Sequence, residues 1–189
     1  SIGITAFTLE DDIFLLPMAA AFRSRMKNEF LRLMISGDAI RDWIRGDCDA
    51  VVFPYDDSFQ PIAEDPSLPC LRYLWLARTG LGNNKMFGGK TKLDCGMKWY
   101  EFGRLTFEKL KTPLSITFGE VATHNHFVLD RGGNVFKQTA PVIKLPREAS
   151  EDDHLALLGL LNSSTACFWM KHVCFPKGTA TGDISKEKG

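Results

Sequence analysis

The chain has 189 residues, is 44% hydrophobic and 24% charged, and balances 23 basic against 23 acidic side chains. That composition is ordinary for a soluble globular protein, and a chain this long can bury a core without disulfides or a structural metal. No apolar run reaches the ~18 residues of a membrane span and no basic start precedes a hydrophobic stretch, so neither a membrane anchor nor a signal peptide is expected.

The five cysteines, Cys48, Cys70, Cys95, Cys167 and Cys174, are odd in number and never stand as C-x-x-C. A disulfide framework and a zinc ribbon are therefore not expected, and free thiols suit a reducing cytoplasm. The chain starts at Ser1 rather than Met, and is expected to be a segment of something longer.

In chain order, residues 2–6 read as a short strand. Thr8 and Asp11 have the spacing of a capping box, and Pro17 ends the short turn they start. Residues 19–30 read as helical, 31–35 as a strand with Gly37-Asp38 as its turn, and 50–55 as a second strand whose Pro54 marks an edge or an end. Residues 56–69, acidic and with three prolines, read as a loop. Leu71, Leu74, Trp75, Arg78 and Leu81 recur at helical spacing, with a stop near Gly80 and Gly82. Residues 82–98 are irregular, glycine-rich and basic. The stretch 114–145 reads as a β-meander, with Asp130-Arg131-Gly132-Gly133-Asn134 as a hairpin turn. Ser150 and Asp153 form a capping box for a helix with Leu155, Leu158 and Leu161 as its core stripe. Asn162 stops that helix, Ser163 or Ser164 caps a second one over 165–173, and residues 179–189 are expected to be a mobile tail.

Charge is unevenly distributed. Residues 1–67 carry six Lys/Arg and twelve Asp/Glu, residues 68–115 nine and three, and residues 116–189 eight and eight. The basic middle third has the footprint of a phosphate-facing surface, although solvated helix charges produce the same count.

Three segments carry candidate chemistry. Lys85 to Thr91 (KMFGGKT) imitates a phosphate-binding loop, but Asn84 stands where the first glycine belongs and no strand precedes it. Thr123-His124-Asn125-His126 places two histidines on one face of a strand. Without a third ligand at legible spacing, that pattern suits a structural turn or polar contacts to a base better than a metal site. Lys98-Trp99-Tyr100-Glu101-Phe102 joins aromatics to a cation, a pattern for stacking on an extruded base and equally for a core helix. Phe102 reads as core, and Trp99 is open between the two. Finally, no [DN]-P-P-[FYW] loop and no complete G-x-G-x-x-G occurs, so catalysis within the chain is not expected.

Several blocks together resemble a known family. Gly37-Asp38-Ala39-Ile40-Arg41-Asp42-Trp43, Val52-Phe53-Pro54-Tyr55-Asp56 and Trp99-Tyr100-Glu101-Phe102 are similar, in this order, to blocks of the target-recognition regions of adenine-specific DNA methyltransferases. So are the runs from Thr123 to Gly133 and from Ala140 to Pro146, and Leu158-Gly159-Leu160-Leu161-Asn162-Ser163-Ser164 with Cys167-Phe168-Trp169-Met170-Lys171. The resemblance is to the BREX and phage-growth-limitation methyltransferases and, more distantly, to type IIG restriction–modification proteins and type I specificity subunits. It spans about residues 30–178; the stretch 182–189 matches nothing in the pattern.

The resemblance implies an α+β fold, a mixed, mainly antiparallel sheet flanked by helices with a C-terminal helix pair, as one domain over residues 1–178. It implies sequence-specific binding of duplex DNA by a module with no cofactor of its own, beside an adenine-specific methyltransferase domain or subunit that uses S-adenosylmethionine. Lys85, Lys90, Lys92, Lys98, Arg104 and Lys111 are the expected phosphate contacts. Asn83, Asn84, Trp99, Tyr100, His124, Asn125 and His126 are the expected base contacts. Two other readings stay open: a module that docks a methyltransferase or defence subunit, and a small metal-dependent hydrolase or nuclease using His124 and His126.

Overall fold

A computed structural model describes residues 1–24, 26–41 and 43–174; the tail expected at 179–189 lies outside the described residues. Strands β1 (Ile2–Gly3) and β2 (Ala6–Phe7) are followed by helix α1 (Asp11–Phe14), β3 (Leu15–Leu16) and α2 (Met18–Arg23). Next come β4 (Leu31–Ile35), the ribbon β5 (Ile40–Arg41) and β6 (Ile44–Arg45), and β7 (Asp49–Val52). Helices α3 (Pro69–Leu74) and α4 (Arg78–Asn83) precede β8 (Arg104–Leu105), β9 (Ser115–Phe118), β10 (Phe127–Asp130), β11 (Asn134–Phe136) and β12 (Val142–Ile143). Helices α5 (Glu151–Leu161) and α6 (Ser164–Val173) close the order.

The fold is mixed α+β and mainly antiparallel, as expected, with its strands distributed over two four-stranded sheets and two ribbons. One sheet runs β1-β12-β9-β10, all antiparallel; the other runs β11-β4-β7-β3, in which only β11 lies parallel to its neighbour. The ribbons are β2–β8 and β5–β6. Among the described residues no helix is long and apolar enough to cross a membrane.

The Asp130–Asn134 turn differs from the expected hairpin. β10 pairs with β9 in the first sheet, whereas β11 pairs with β4 in the second, with Val135 opposite Met34. The turn is a crossover between sheets. Asp130 holds it by accepting hydrogen bonds from the Gly132 amide at 2.9 Å and from the Asn134 side chain. Turn chemistry is legible in the sequence here, but it does not say which strand the chain joins afterwards. The same holds for residues 2–6, which divide because Ile2 lies opposite Ile143 while Ala6 lies opposite Leu105.

The helix expected over 19–30 ends at Arg23. The Ser24 hydroxyl donates to the Ala21 carbonyl at 2.6 Å and accepts from the Met26 amide, the local competition by which serine breaks helices. Met26 and Phe30 then enter the core. Pro17 does not end α1, which stops at Phe14 with β3 after it; it stands instead as the N-cap of α2.

Three apolar clusters hold the elements. The largest joins Phe14, Met34, Val51, Val52, Phe53, Tyr55, Leu71, Leu74, Leu81, Trp99, Tyr100 and Phe102 between the second sheet and helices α1 to α4. Ile35, Ile40, Val128, Phe136, Ala140 and Val142 bridge the two sheets, and Ile116, Phe127 and Leu158 pack beneath α5. Gly37 supports the bridge by close approach, since a Cβ there would fall 2.2 Å from the Thr139 carbonyl oxygen.

The capping box of α5 is formed: the Asp153 amide donates to Ser150 Oγ at 3.1 Å and the Ser150 amide to Asp153 Oδ2 at 2.8 Å. Its buried stripe is His154 and Leu158 with Leu157 and Leu161 partly covered, whereas Leu155 is 43% exposed. Ser163 caps α6 by accepting from the Ala166 amide.

Candidate nucleic-acid interface

Residues 85–91 form a short finger. Lys85 bridges Thr91 as an antiparallel pair, and the Met86 amide donates to the Lys90 carbonyl at 2.8 Å. The tip closes by a bond from the Gly89 amide to the Met86 carbonyl at 2.9 Å, with Gly88 at φ +102° and Gly89 at φ +84°. Gly88 thus supplies the positive φ that the third position of a type II turn demands, which is why the sequence M-F-G-G turns here. Lys85, Phe87 and Lys90 are all exposed. The phosphate-loop imitation ends at this geometry, because Gly89-Lys90-Thr91 lies in a hairpin with no helix after it.

The finger rests near the β2–β8 ribbon. The Phe87 ring stands 6.2 Å from that of Phe7, and Phe7 lies directly opposite the exposed Arg104. Lys109 adds a further cation beside this ribbon. Its ammonium lies against the chain at Gly3, and burial together with the positive charge of Arg104 holds its pKa below the usual lysine range. Among the described residues, Lys85, Lys90, Arg104 and Lys109 are in none of the ion pairs, which include Lys27–Glu29, Arg78–Glu64, Lys111–Glu108, Arg131–Glu151 and Lys137–Asp11. The sequence does not single out Lys109, because nothing in its spacing separates it from Lys111.

Two expected phosphate contacts turn inward instead. Lys92 has no exposed surface; its ammonium donates to the Glu101 carbonyl at 2.6 Å and stands 5.7 Å over the Phe14 ring. Burial pushes its pKa down to about 8. Lys98 donates to the Ile62 carbonyl at 2.8 Å and to the Pro61 carbonyl at 3.4 Å, so it clamps the acidic loop. Neither is placed to hold a phosphate. Lys111 is exposed but paired with Glu108 at 2.8 Å.

The expected base contacts divide as well. Trp99 is 3% exposed and donates its indole N–H to Glu64 at 2.8 Å, and Tyr100 is fully buried with its hydroxyl donating to the Ile62 carbonyl at 2.5 Å. Both are core, and neither ring is open to a base in this structure. Asn83 is exposed at the end of α4, and Asn84 is half-buried at the root of the finger, with its side-chain nitrogen buried and unpartnered.

Asn125 is structural: its amide donates to the Leu161 carbonyl at 2.5 Å and the Ser163 carbonyl at 3.1 Å, capping the C-terminus of α5. Asn162 answers from the other side, accepting from the Phe127 amide at 3.0 Å and donating to the Phe127 carbonyl at 2.9 Å. The asparagine of the L-L-N-S-S block thereby extends the ladder at the free edge of β10. His124 is exposed beside Thr123, and His126 is half-buried with its ring 6.4 Å from that of His124. Both border a groove of about 410 Å³ beside α6. Among the described residues no three His, Cys, Asp or Glu side chains form a set for a metal ion.

The β5–β6 ribbon, where no site is expected from the sequence, also exposes apolar groups. It bears Trp43, 53% exposed at φ +70°, and Ile44, 64% exposed, between Arg41 and Arg45. A bulky residue at positive φ is strained, and Trp43 shares that conformation with Leu9 and Phe59.

No family model matches the chain. It is 44% identical over 167 residues to the adenine-specific methyltransferase PglX of Streptomyces coelicolor. That similarity takes in 88% of this chain but only 14% of the relative's length. Among solved structures it is similar in fold to the type IIL restriction-modification enzyme MmeI in complex with DNA, with a TM-score of 0.54 at 16% identity, over 90% of this chain and 21% of the other.

Proposed function

We propose that this chain, a relative of one segment of an adenine-specific methyltransferase of the restriction-modification and phage-defence kind, is a module that reads duplex DNA for a methyltransferase carried elsewhere in the same protein or assembly. The observation that carries this reading is the group Lys85, Lys90, Arg104 and Lys109 on the finger and the adjoining β2–β8 ribbon, cations without an ion pair among the described residues. Four cations with no carboxylate partner there raise a local positive potential, and phosphates are the counter-charge that suits it. Phosphate contacts set register, and Asn83 and His124, exposed polar side chains on loops or helix ends, are left to reach base edges. The chain itself has no part in methyl transfer; S-adenosylmethionine and the acceptor loop belong to the partner domain.

The similarity to PglX and the fold shared with MmeI in complex with DNA support this reading. The test is the salt dependence of duplex binding. Release of counterions from about four phosphates gives a slope of log K against log salt near −3.6. A flat dependence rejects the proposal.

One observation favours the docking role as an additional one. Helix α6 buries none of its residues, Phe168, Trp169 and Val173 are 68%, 63% and 44% exposed, and Leu160 on α5 is 64% exposed. A patch of this kind marks an interaction surface, and the methyltransferase part of a longer protein is the partner proposed for it.

A further inference from the structure

The finger's tip is apolar, which phosphate binding does not require. Phe87 is 93% exposed, occupies the second position of the turn closed by Gly89 and Met86, and has the Phe7 ring, tilted and 6.2 Å away, as its aromatic neighbour. A phenylalanine left in water at the apex of a tight turn is costly in isolation, since burying such a ring is favourable by about 1.5–3 kcal/mol. On the two arms of the hairpin stand lysines, Lys85 and Lys90, and the Phe7 strand position beside the ring lies opposite Arg104, so the apolar tip is set among cations.

We infer that Phe87 is a wedge that enters between adjacent base pairs of the bound duplex while Lys85 and Lys90 hold the phosphates on either side. The inference rests on the DNA-reading function proposed above and adds the mode of contact. A ring inserted at a base step partly unstacks it and bends the duplex, and the cost is least at flexible pyrimidine–purine steps. The wedge therefore selects sequence by deformability at a position where it makes no hydrogen bond. A Cβ added at Gly88 or Gly89 would meet nothing within 4 Å, so the space beside the turn is open to the bases on either side.

The experiment uses the full 189-residue chain and a duplex selected by it from a randomised library of about two helical turns, resynthesised with 2-aminopurine at each position in turn. Fluorescence is expected to rise on binding at one or two adjacent positions, and the selected sequence is expected to carry TA or CA at that step. F87A should abolish the rise and weaken binding about 10-fold, on the scale of one lost aromatic–base stack. F87L, which keeps an apolar wedge, should retain the rise. Because the ring is exposed, thermal unfolding of F87A should match that of the parent chain. K85A/K90A should weaken binding and flatten the salt slope while leaving the rise intact at saturating protein. If K85A/K90A weakens binding but no position brightens, or F87A binds and brightens like the parent, the wedge is overturned and the DNA-reading function stands. If no duplex is selected, the DNA-reading function fails and the wedge fails with it. If F87A loses association with a methyltransferase domain while duplex binding is unchanged, Phe87 is a protein anchor and the inference is wrong.

Discussion

Lys92 donates to the Glu101 carbonyl, faces the Phe14 ring and has no exposed surface; Lys144 is 8% exposed and donates to the Thr112 and Leu114 carbonyls. Burial lowers the pKa of both from the usual 10.5 to about 8. A depressed lysine pKa works against the folded state while the group is charged. Below about 8 both states are protonated and the cost is fully present. Between about 8 and 10.5 the unfolded chain binds more protons than the folded one, so stability rises with pH across that window. Lys92→Met removes one of the two contributions. Urea midpoints measured from about pH 8 to pH 10 should climb less steeply in this variant than in the parent chain, and equal slopes would show that Lys92 is solvated after all.

At the scale of elements, the joint between β10 and α5 depends on two asparagines. Asn162 supplies both a donor and an acceptor to Phe127, while Asn125 caps the helix from the β10 side. Asn162→Ala leaves a backbone amide and a carbonyl unpaired beside the Phe127 and Leu158 cluster. The expected loss is about 1–3 kcal/mol in chemical denaturation; a change below about 0.5 kcal/mol would mean water replaces both bonds without cost. Helix α6 should behave oppositely. Phe168→Ser with Trp169→Ser alters only exposed side chains, so the thermal midpoint should shift by no more than about ±0.5 kcal/mol of stability allows. A collapse of α6 in that variant, seen by circular dichroism, would place the two rings in a core.

For the whole molecule, the basic block of residues 68–115 contains two populations with different work, apart from Arg78 and Lys111, which pair with Glu64 and Glu108. Lys85, Lys90, Arg104 and Lys109 stand outside the ion pairs of the described residues, around the finger and the β2–β8 ribbon, whereas Lys92 and Lys98 are committed to carbonyls inside. The variants separate the roles. K85A/K90A should reduce the magnitude of the salt slope by about 2, one unit per lost phosphate contact, and leave the thermal midpoint unchanged. K98A should lower the midpoint, because it frees the Pro61 and Ile62 carbonyls from their clamp, and leave the slope unchanged. The reverse pattern would put Lys98 on the DNA side of the protein.

Local physics is legible in the sequence wherever a residue's partner is close along the chain. The Ser150/Asp153 box and the cap at Ser163 have local causes, and the ordered motif blocks, which imply the α+β fold, point to the same kind of methyltransferase as the relative PglX. The turn chemistry of Asp130–Asn134 is likewise visible. Only the tertiary structure decided which sheet the chain enters after that turn, which lysines are buried, and that Trp99, Tyr100 and Asn125 hold the protein together. Their partners lie far away in sequence: Glu64 and Ile62 for the two aromatics, Leu161 and Ser163 for the asparagine. A lysine or an asparagine reads the same whether its nearest acceptor is a distant carbonyl or a phosphate. The choice is made by chain packing, where a buried ammonium survives only if a carbonyl from another segment is already there to receive it.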